Sequence, residues 1–278
     1  MEKEEVGKAV RERYGSIAKQ GSSCCGPTKS CCGSTDSAQT ISRSIGYSEE
    51  ELKAVPEGAN LGLGCGNPIA LASLKEGEVV LDLGSGAGFD CFLAARQVGT
   101  TGKVIGVDMT AEMLERSREN ARKGNFGNVE FRLGEIENLP VGDNQVDIII
   151  SNCVINLSPN KKRVFQEAFR VLKPGGRLMV SDIVLLKDLP GEIRNSLVAY
   201  VGCIAGATTK TEYLETIEAA GFGETKVMDE AAFPVDVLAN DPTAVEISKN
   251  LKLSREKAAD LASSVISIKV LAMKPVAS

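Results

Sequence analysis

The chain has 278 residues, 43% of which are hydrophobic, so it is long enough to bury the core of a large domain. Its formal net charge is −5, with 32 basic residues scattered among 37 acidic ones, which argues against a phosphate-binding surface and a nucleic-acid partner. No apolar run approaches the roughly 20 residues of a transmembrane helix, and MEKEEVGKAV lacks a signal-peptide pattern, so we expect a cytoplasmic protein without membrane attachment.

The first 47 residues contain four of the eight cysteines, in the adjacent pairs Cys24-Cys25 and Cys31-Cys32. Gly, Ser, Thr and Lys surround these pairs, which predicts a flexible cysteine-rich segment after a short opening helix. In a reducing cytoplasm such thiols remain available as ligands or nucleophiles.

Strand and helix patterns alternate from about residue 76. Apolar, β-branched runs predict strands at 79–83, 102–108, 128–135, 145–157 and 176–185, and two closing strands at 224–230 and 263–275. The segments between the first five strands have helical spacing, as in FDCFLAARQV and KKRVFQEAFRV. We therefore predict an α/β, Rossmann-like fold with a mostly parallel seven-stranded sheet and helices on both faces.

This pattern divides the chain into three expected regions. The flexible segment covers 1–47, a cofactor-binding core covers 48–187, and an acceptor-binding helical and strand region covers 188–278. An inserted helical stretch at 231–262 has no assigned role.

A glycine-rich loop, DLGSGAG, follows the first predicted strand. Open α/β sheets bind ligands at this edge, where glycines let the backbone approach the ligand closely. A dinucleotide fingerprint needs a further glycine at position 89, which is Phe89. The pattern instead resembles the first motif of class I S-adenosylmethionine-dependent methyltransferases. It predicts the residues that bind the cofactor's amino acid end: Asp82, Gly84, Ser85, Gly86 and Gly88.

The next strand ends extend the expected cofactor site. Asp108 ends the second strand, where a carboxylate can accept hydrogen bonds from ribose hydroxyls, and Met109 follows it. In the resembled superfamily, the segment after the third strand flanks adenine; here it contains Gly134, Glu135 and Ile136. Asn152, in the SNCVINL part of the fourth strand segment, completes the set.

Three cysteines lie on segments that can converge on this same edge of the sheet. Cys153 follows the fourth strand in SNCVINL, Cys203 follows the fifth strand, and Cys65 precedes the core in NLGLGCGNP. Cys91, among apolar helix residues, is interpreted as a small buried hydrophobe. Thiolates select soft centres, and a chain without histidine is a poor candidate for catalytic zinc. Trivalent arsenic fits these thiols, because its lone pair can attack a sulfonium methyl group without a general base.

Together these motifs resemble those of the arsenite S-adenosylmethionine methyltransferases. The likeness runs from about Tyr47 to Ser181, and includes the Cys203 turn and the final strand. It implies S-adenosylmethionine as cofactor and arsenite, or its thiol conjugate, as the acceptor in arsenic detoxification, giving mono- and dimethylated products. It also implies Cys153 and Cys203 as core arsenic ligands, Cys65 as a third ligand or redox partner, and a thiol reductant such as glutathione or thioredoxin. We expect a monomer.

Several alternatives stay open. The protein could methylate a small carbon or oxygen acceptor such as a quinone precursor, or act as a non-catalytic metalloid sensor or carrier. The four N-terminal thiols could wrap one zinc ion, belong to an inert tail, or capture arsenic and deliver it to the pocket.

Overall fold

A computed structural model of the protein describes residues 3–20, 34–232, 260 and 263–276. The strands of these residues are β1 Val79–Leu83, β2 Lys103–Asp108, β3 Val129–Leu133, β4 Val146–Asn152, β5 Leu172–Leu185, β6 Gly223–Ala232 and β7 Val265–Met273. They form one seven-stranded sheet in the order β3-β2-β1-β4-β5-β7-β6. Strand β7 runs antiparallel to both of its neighbours, and the pairs from β3 to β5 are parallel. The predicted α/β fold is confirmed.

Helices of the described residues precede the sheet and connect its strands. They are α1 Lys3–Gln20, α2 Ser34–Ser44, α3 Glu49–Ala54, α4 Ile69–Ala72, α5 Phe89–Val98, α6 Ala111–Lys123, α7 Lys161–Val171, α8 Gly191–Arg194, α9 Leu197–Val201 and α10 Lys210–Ala219, with a 3-10 turn at Ile155–Leu157. Thr110 is the N-cap residue of α6, but its side chain makes no capping hydrogen bond; its backbone N–H is bound by Asp108 instead. None of the described helices is both long and apolar enough to cross a membrane.

The central strands are buried on both faces. In β1 and β4, Leu81 and Ile149 contribute to the core on one side of the sheet, and Val80 and Ile148 to the core on the other. This two-sided burial explains the nearly continuous apolar runs. Strand order reverses between β1 and β4, which places a ligand-binding crevice at the carboxyl ends of these strands.

The N-terminal region has more regular structure than the sequence analysis predicts. Helix α1 is 18 residues long rather than short. Its buried side chains Val6, Val10 and Ile17 recur at helical spacing, so one face of the helix packs on the domain. Helix α2 also lies within the segment expected to be flexible. Cys24, Cys25, Cys31 and Cys32 lie outside the described residues, as does most of the inserted stretch at 231–262.

Candidate functional site

A cavity of about 770 Å³ opens at the carboxyl edge of the sheet, beside the β1–β4 crevice. Helix α1 forms part of its wall, through Val10, Arg11 and Tyr14 among others. The cavity brings together ten of the eleven residues expected to bind the cofactor: Asp82, Gly84, Ser85, Gly86, Asp108, Met109, Gly134, Glu135, Ile136 and Asn152. Gly88 is the exception. It begins α5 with φ 94°, and a β-carbon there would lie 2.7 Å from Phe92, so this glycine serves the turn.

The glycine loop is shaped to admit a ligand. Gly84 and Gly86 have φ values of 70° and 51°, in the left-handed region that favours glycine. A β-carbon on Gly84 would lie 2.4 Å from the side chain of Val154, whereas one on Gly86 would meet no atom within 4 Å. The loop therefore turns tightly and leaves open space above Gly86.

The polar groups around this space suit S-adenosylmethionine. Asp108 accepts hydrogen bonds from the N–H of Gly86 at 2.9 Å and of Thr110 at 2.8 Å, which orient its carboxylate at the end of β2. The buried hydroxyl of Ser85 has no partner among the described residues. At the opposite wall, Arg11 of α1 pairs with Glu135 at 3.1 Å. The open loop, the oriented carboxylate and the unpaired hydroxyl fit a ligand with ribose hydroxyls and a charged amino acid end.

The three cysteines meet beside this cavity. The Cys153 sulfur lies within 4.8 Å of the Cys65 sulfur, and the Cys203 thiol is close enough to affect the ionisation of Cys153. The Cys203 Sγ also donates to the Cys153 carbonyl at 3.2 Å, and the Cys65 Sγ to the Ser181 carbonyl at 3.5 Å. All three are free and buried, and Cys153 lines the cavity. We call Cys65, Cys153 and Cys203 the thiol cluster.

Unusual backbone conformations put the thiol cluster in place. Cys153 and Cys203 have φ values of 60° and 63°, in the left-handed region that few non-glycine residues occupy. Cys65 is flanked by two glycines in close contacts: a β-carbon on Gly64 would lie 2.6 Å from Asn152 Nδ2, and one on Gly66 would lie 2.0 Å from Ser181 Oγ. The local fold is therefore strained or tightly packed at each of the three cysteines.

A buried carboxylate, absent from the sequence predictions, adjoins the cluster. An Asp182 oxygen and the sulfurs of Cys65 and Cys153 all lie within 4.8 Å of one another. Asp182 accepts hydrogen bonds from Tyr213 at 3.0 Å and Asn156 at 2.8 Å, and its burial raises its pKa to about 7. An aspartate inside the apolar run LMVSDIVLL was the signal that could have identified it.

Two thiols of the cluster, those of Cys153 and Cys65, are neutral at physiological pH. Hydrogen bonds with Cys203 and Cys65, followed by burial, raise the pKa of Cys153 well above its usual range. Burial likewise raises the pKa of Cys65. Each thiol must therefore give up its proton when it binds a soft ion.

Two buried acidic side chains, Asp82 and Asp90, line the cavity near the glycine loop. The Cys91 thiol donates to Asp82 Oδ2 at 3.2 Å, so Cys91 is a hydrogen-bond partner of a site residue, whereas the sequence analysis interprets it only as a small hydrophobe. Asp90 was missed because an acidic residue in the first turn of a helix is ordinary.

Comparisons with known proteins show what the chain is similar to. Residues 74–221 match the family model described as a methyltransferase domain. The chain is 48% identical over 225 residues to an arsenite methyltransferase of Halobacterium salinarum, covering 79% of this chain and 58% of that protein. It is 36% identical over 228 residues to the human arsenite methyltransferase, covering 78% and 58%. The chain thus spans a little more than half the length of these relatives.

A solved structure is similar over more of its length. It is that of an arsenic(III) S-adenosylmethionine methyltransferase from Chlamydomonas reinhardtii, which matches with a TM-score of 0.63 and 32% sequence identity. The match covers 84% of this chain and 74% of that one.

Proposed function

The chain belongs to the arsenic(III) S-adenosylmethionine methyltransferase family, and on that premise we propose that it methylates arsenic(III) bound by Cys65, Cys153 and Cys203. The observation that carries this proposal is the thiol cluster itself. Cys153 lies beside both Cys65 and Cys203, which come from distant segments, and it reaches the wall of the cofactor cavity. An enzyme acting on a carbon or oxygen acceptor would have no use for such a cluster.

Each part of the site has a defined task. S-adenosylmethionine, when bound, supplies a methyl group activated by its sulfonium. Asp82 and the glycine loop would hold its amino acid end, and Asp108 its ribose. Three sulfur ligands would bind arsenic as a pyramid and leave its lone pair free as the nucleophile, so that no general base is needed. Fixing this lone pair towards the methyl group can lower the barrier by up to about 7–11 kcal/mol.

The surroundings of the cluster keep water away from the reaction. Cys65, Cys153 and Cys203 share an apolar cluster with Val6 and Val10 of α1 and with side chains of the α8–α9 region. An apolar shell limits hydrolysis of arsenic–sulfur bonds and favours soft ligands over hydroxide. Helix α1 is therefore part of the arsenic site as well as a wall of the cofactor cavity.

The wider cellular role follows from the same chemistry. We propose mono- and dimethylated arsenicals as products, arsenic detoxification as the purpose, and a small thiol or a thioredoxin as the reductant. A reductant is required because transfer of a methyl cation to the arsenic lone pair converts trivalent arsenic to pentavalent arsenic, and two electrons from a thiol donor must restore the trivalent state before a second methylation. Free thiols also suit the reducing cytoplasm.

The test is a methylation assay with purified enzyme, arsenite, glutathione and methyl-labelled S-adenosylmethionine. We expect labelled methylarsenicals, identified by chromatography with arsenic detection. Arsenite binding without methyl transfer would instead support a carrier, and the absence of both would point to another acceptor.

A further inference from the structure

A buried carboxylate completes a second set of possible ligands at the thiol cluster. An Asp182 oxygen and the sulfurs of Cys65 and Cys153 lie within 4.8 Å of one another, and each of these side chains is at most 7% exposed. In a tetrahedral zinc site, Zn–S bonds of about 2.3 Å place neighbouring sulfurs about 3.8 Å apart. The three ligand atoms therefore need only small side-chain movements to hold one such ion.

Hydrogen bonds fix the Asp182 carboxylate in this position. Its Oδ1 accepts from Asn156 Nδ2 at 2.8 Å and from the Ile183 N–H at 2.9 Å. Its Oδ2 accepts from the Tyr213 hydroxyl at 3.0 Å. A carboxylate oxygen has about two acceptor sites, so Oδ2 keeps one for a ligand. Carboxylates that bind metal ions are oriented by hydrogen bonds of this kind.

The charges around Asp182 balance for a divalent ion. Two thiolates and one carboxylate carry three negative charges, which a divalent ion reduces to one. Lys161, at the start of α7, lies close enough to Asp182 for its charge to act on the carboxylate, and it supplies the remaining positive charge. A buried site of this composition avoids the cost of an uncompensated charge. Arsenic(III) with three thiolates is neutral already and needs no carboxylate.

We propose that Cys65, Cys153 and Asp182 form a binding site for a thiophilic divalent cation such as Zn²⁺, and that this cation excludes arsenite while it is bound. The ion replaces the two thiol protons, which leave for solvent. Water takes the fourth position from the cavity that Cys153 lines. The Cys203 sulfur lies outside this group of ligand atoms, so it binds arsenic and not zinc.

The zinc site itself goes beyond the proposed function and does not depend on it. The exclusion of arsenite does rest on the proposed function, because it assumes that Cys65 and Cys153 bind both ions. Zinc binding is therefore measured first, with zinc alone, by competition against a chromophoric chelator. The protein is the full chain with Cys24, Cys25, Cys31 and Cys32 changed to Ser, so that the N-terminal thiols do not contribute.

Asp182→Asn removes the oxygen ligand and keeps the shape of the side chain. The amide oxygen can still accept from Asn156 and Ile183. Losing a partner that only orients a ligand costs about 10- to 100-fold in metal affinity, so losing the ligand itself should weaken zinc binding about 100-fold or more. Arsenite affinity should change less than about three-fold, because arsenic keeps its sulfur ligands. Binding of S-adenosylhomocysteine by the variant shows that it is folded.

Cys203→Ser is the reverse control. It removes an arsenic ligand and leaves Cys65, Cys153 and Asp182 in place. Zinc affinity should change less than about three-fold, whereas arsenite affinity should fall about ten-fold or more. Opposite responses of the two variants would identify two overlapping sets of ligands.

X-ray absorption at the zinc edge tests the ligand set without changing it. We expect two sulfur and two oxygen neighbours around zinc. In the methylation assay, buffered zinc should raise the arsenite concentration that gives half the maximal rate, and Asp182→Asn should remove this inhibition.

The inference is overturned if zinc does not bind, if Asp182→Asn binds it equally well, if three or four sulfurs surround it, or if the zinc-loaded protein methylates arsenite undiminished. If zinc binds as predicted but arsenite neither displaces it nor is methylated in its absence, the proposed function fails and the zinc site remains.

Discussion

The cofactor cavity and the thiol cluster adjoin each other but are built in different ways. One contiguous loop, residues 82–88, shapes the floor of the cavity, with its glycines in left-handed conformations. The thiol cluster gathers Cys65, Cys153 and Cys203 from three separate segments and holds two of them at positive φ. The cofactor cavity is thus shaped largely by one local segment, whereas the thiol cluster depends on contacts between segments that are distant in the chain.

The largest expected effect comes from removing a thiol of the cluster. Cys153→Ser or Cys203→Ser replaces a soft ligand with a hard one, so arsenite methylation should fall by about 1,000-fold or more. Binding of S-adenosylhomocysteine, measured by calorimetry, should change less than about three-fold, because neither thiol belongs to the glycine loop.

Cys91→Ser is the matched control for this prediction. It exchanges a buried thiol outside the cluster for a hydroxyl that can still donate to Asp82. Arsenite binding by this variant should remain close to that of the unaltered protein. If Cys153→Ser still methylates arsenite at a comparable rate, the cluster is not the acceptor site.

The second largest effect is expected in the cofactor cavity, on removal of the Asp108 carboxylate. Asp108→Ala removes a carboxylate that orients the glycine loop through Gly86 and lines the cavity. Loss of hydrogen bonds to a charged group should weaken S-adenosylhomocysteine binding about 10- to 100-fold. Arsenite binding in the absence of cofactor should be nearly unchanged. Equal losses in both affinities would show that the two regions are not built independently.

The sequence predicts the first region better than the second, for a physical reason. A glycine loop after a buried strand has a local signature, and Asp82, Asp108 and Asn152 occupy the strand ends where the pattern places them. The contact between Asp90 and Tyr47 joins residues far apart in the chain, which periodicity cannot reveal. The length of α1 could have been predicted from the spacing of Val6, Val10 and Ile17.

The third effect is a pH dependence of protein stability that arises from the buried Asp90. The raised pKa of Asp90, about 6, means that its protonated form stabilises the fold below the unfolded-state pKa. This contribution is lost as the pH rises through about 6. The free energy of unfolding should therefore fall between pH 4.5 and 7.5, and Asp90→Asn should reduce that fall by about 1–3 kcal/mol.

Urea unfolding at the two pH values measures this contribution. Part of this decrease in the free energy of unfolding should persist in Asp90→Asn, because burial also raises the pKa of Asp82 and Asp182. Saturating S-adenosylhomocysteine should reduce the decrease in unfolding free energy of the unaltered protein, because its ammonium group stabilises the ionised forms of Asp82 and Asp90. An identical pH dependence in the unaltered protein and the variant would contradict the assignment.

The smallest effect is expected from the N-terminal thiols. Changing Cys24, Cys25, Cys31 and Cys32 to Ser together should slow methylation only at low arsenite, by about two- to five-fold, as expected if they raise the local arsenic concentration. The rate at saturating arsenite should be unchanged. If the rate is unaltered at every arsenite concentration, the capture hypothesis is wrong.

X-ray absorption at the arsenic edge tests the central claim most directly. The sample is the full chain with the four N-terminal cysteines changed to Ser, loaded with one equivalent of arsenite. We predict three sulfur neighbours around arsenic, and two when Cys65→Ser is added. A spectrum dominated by oxygen neighbours, or one that Cys65→Ser leaves unchanged, would contradict a three-thiol arsenic site.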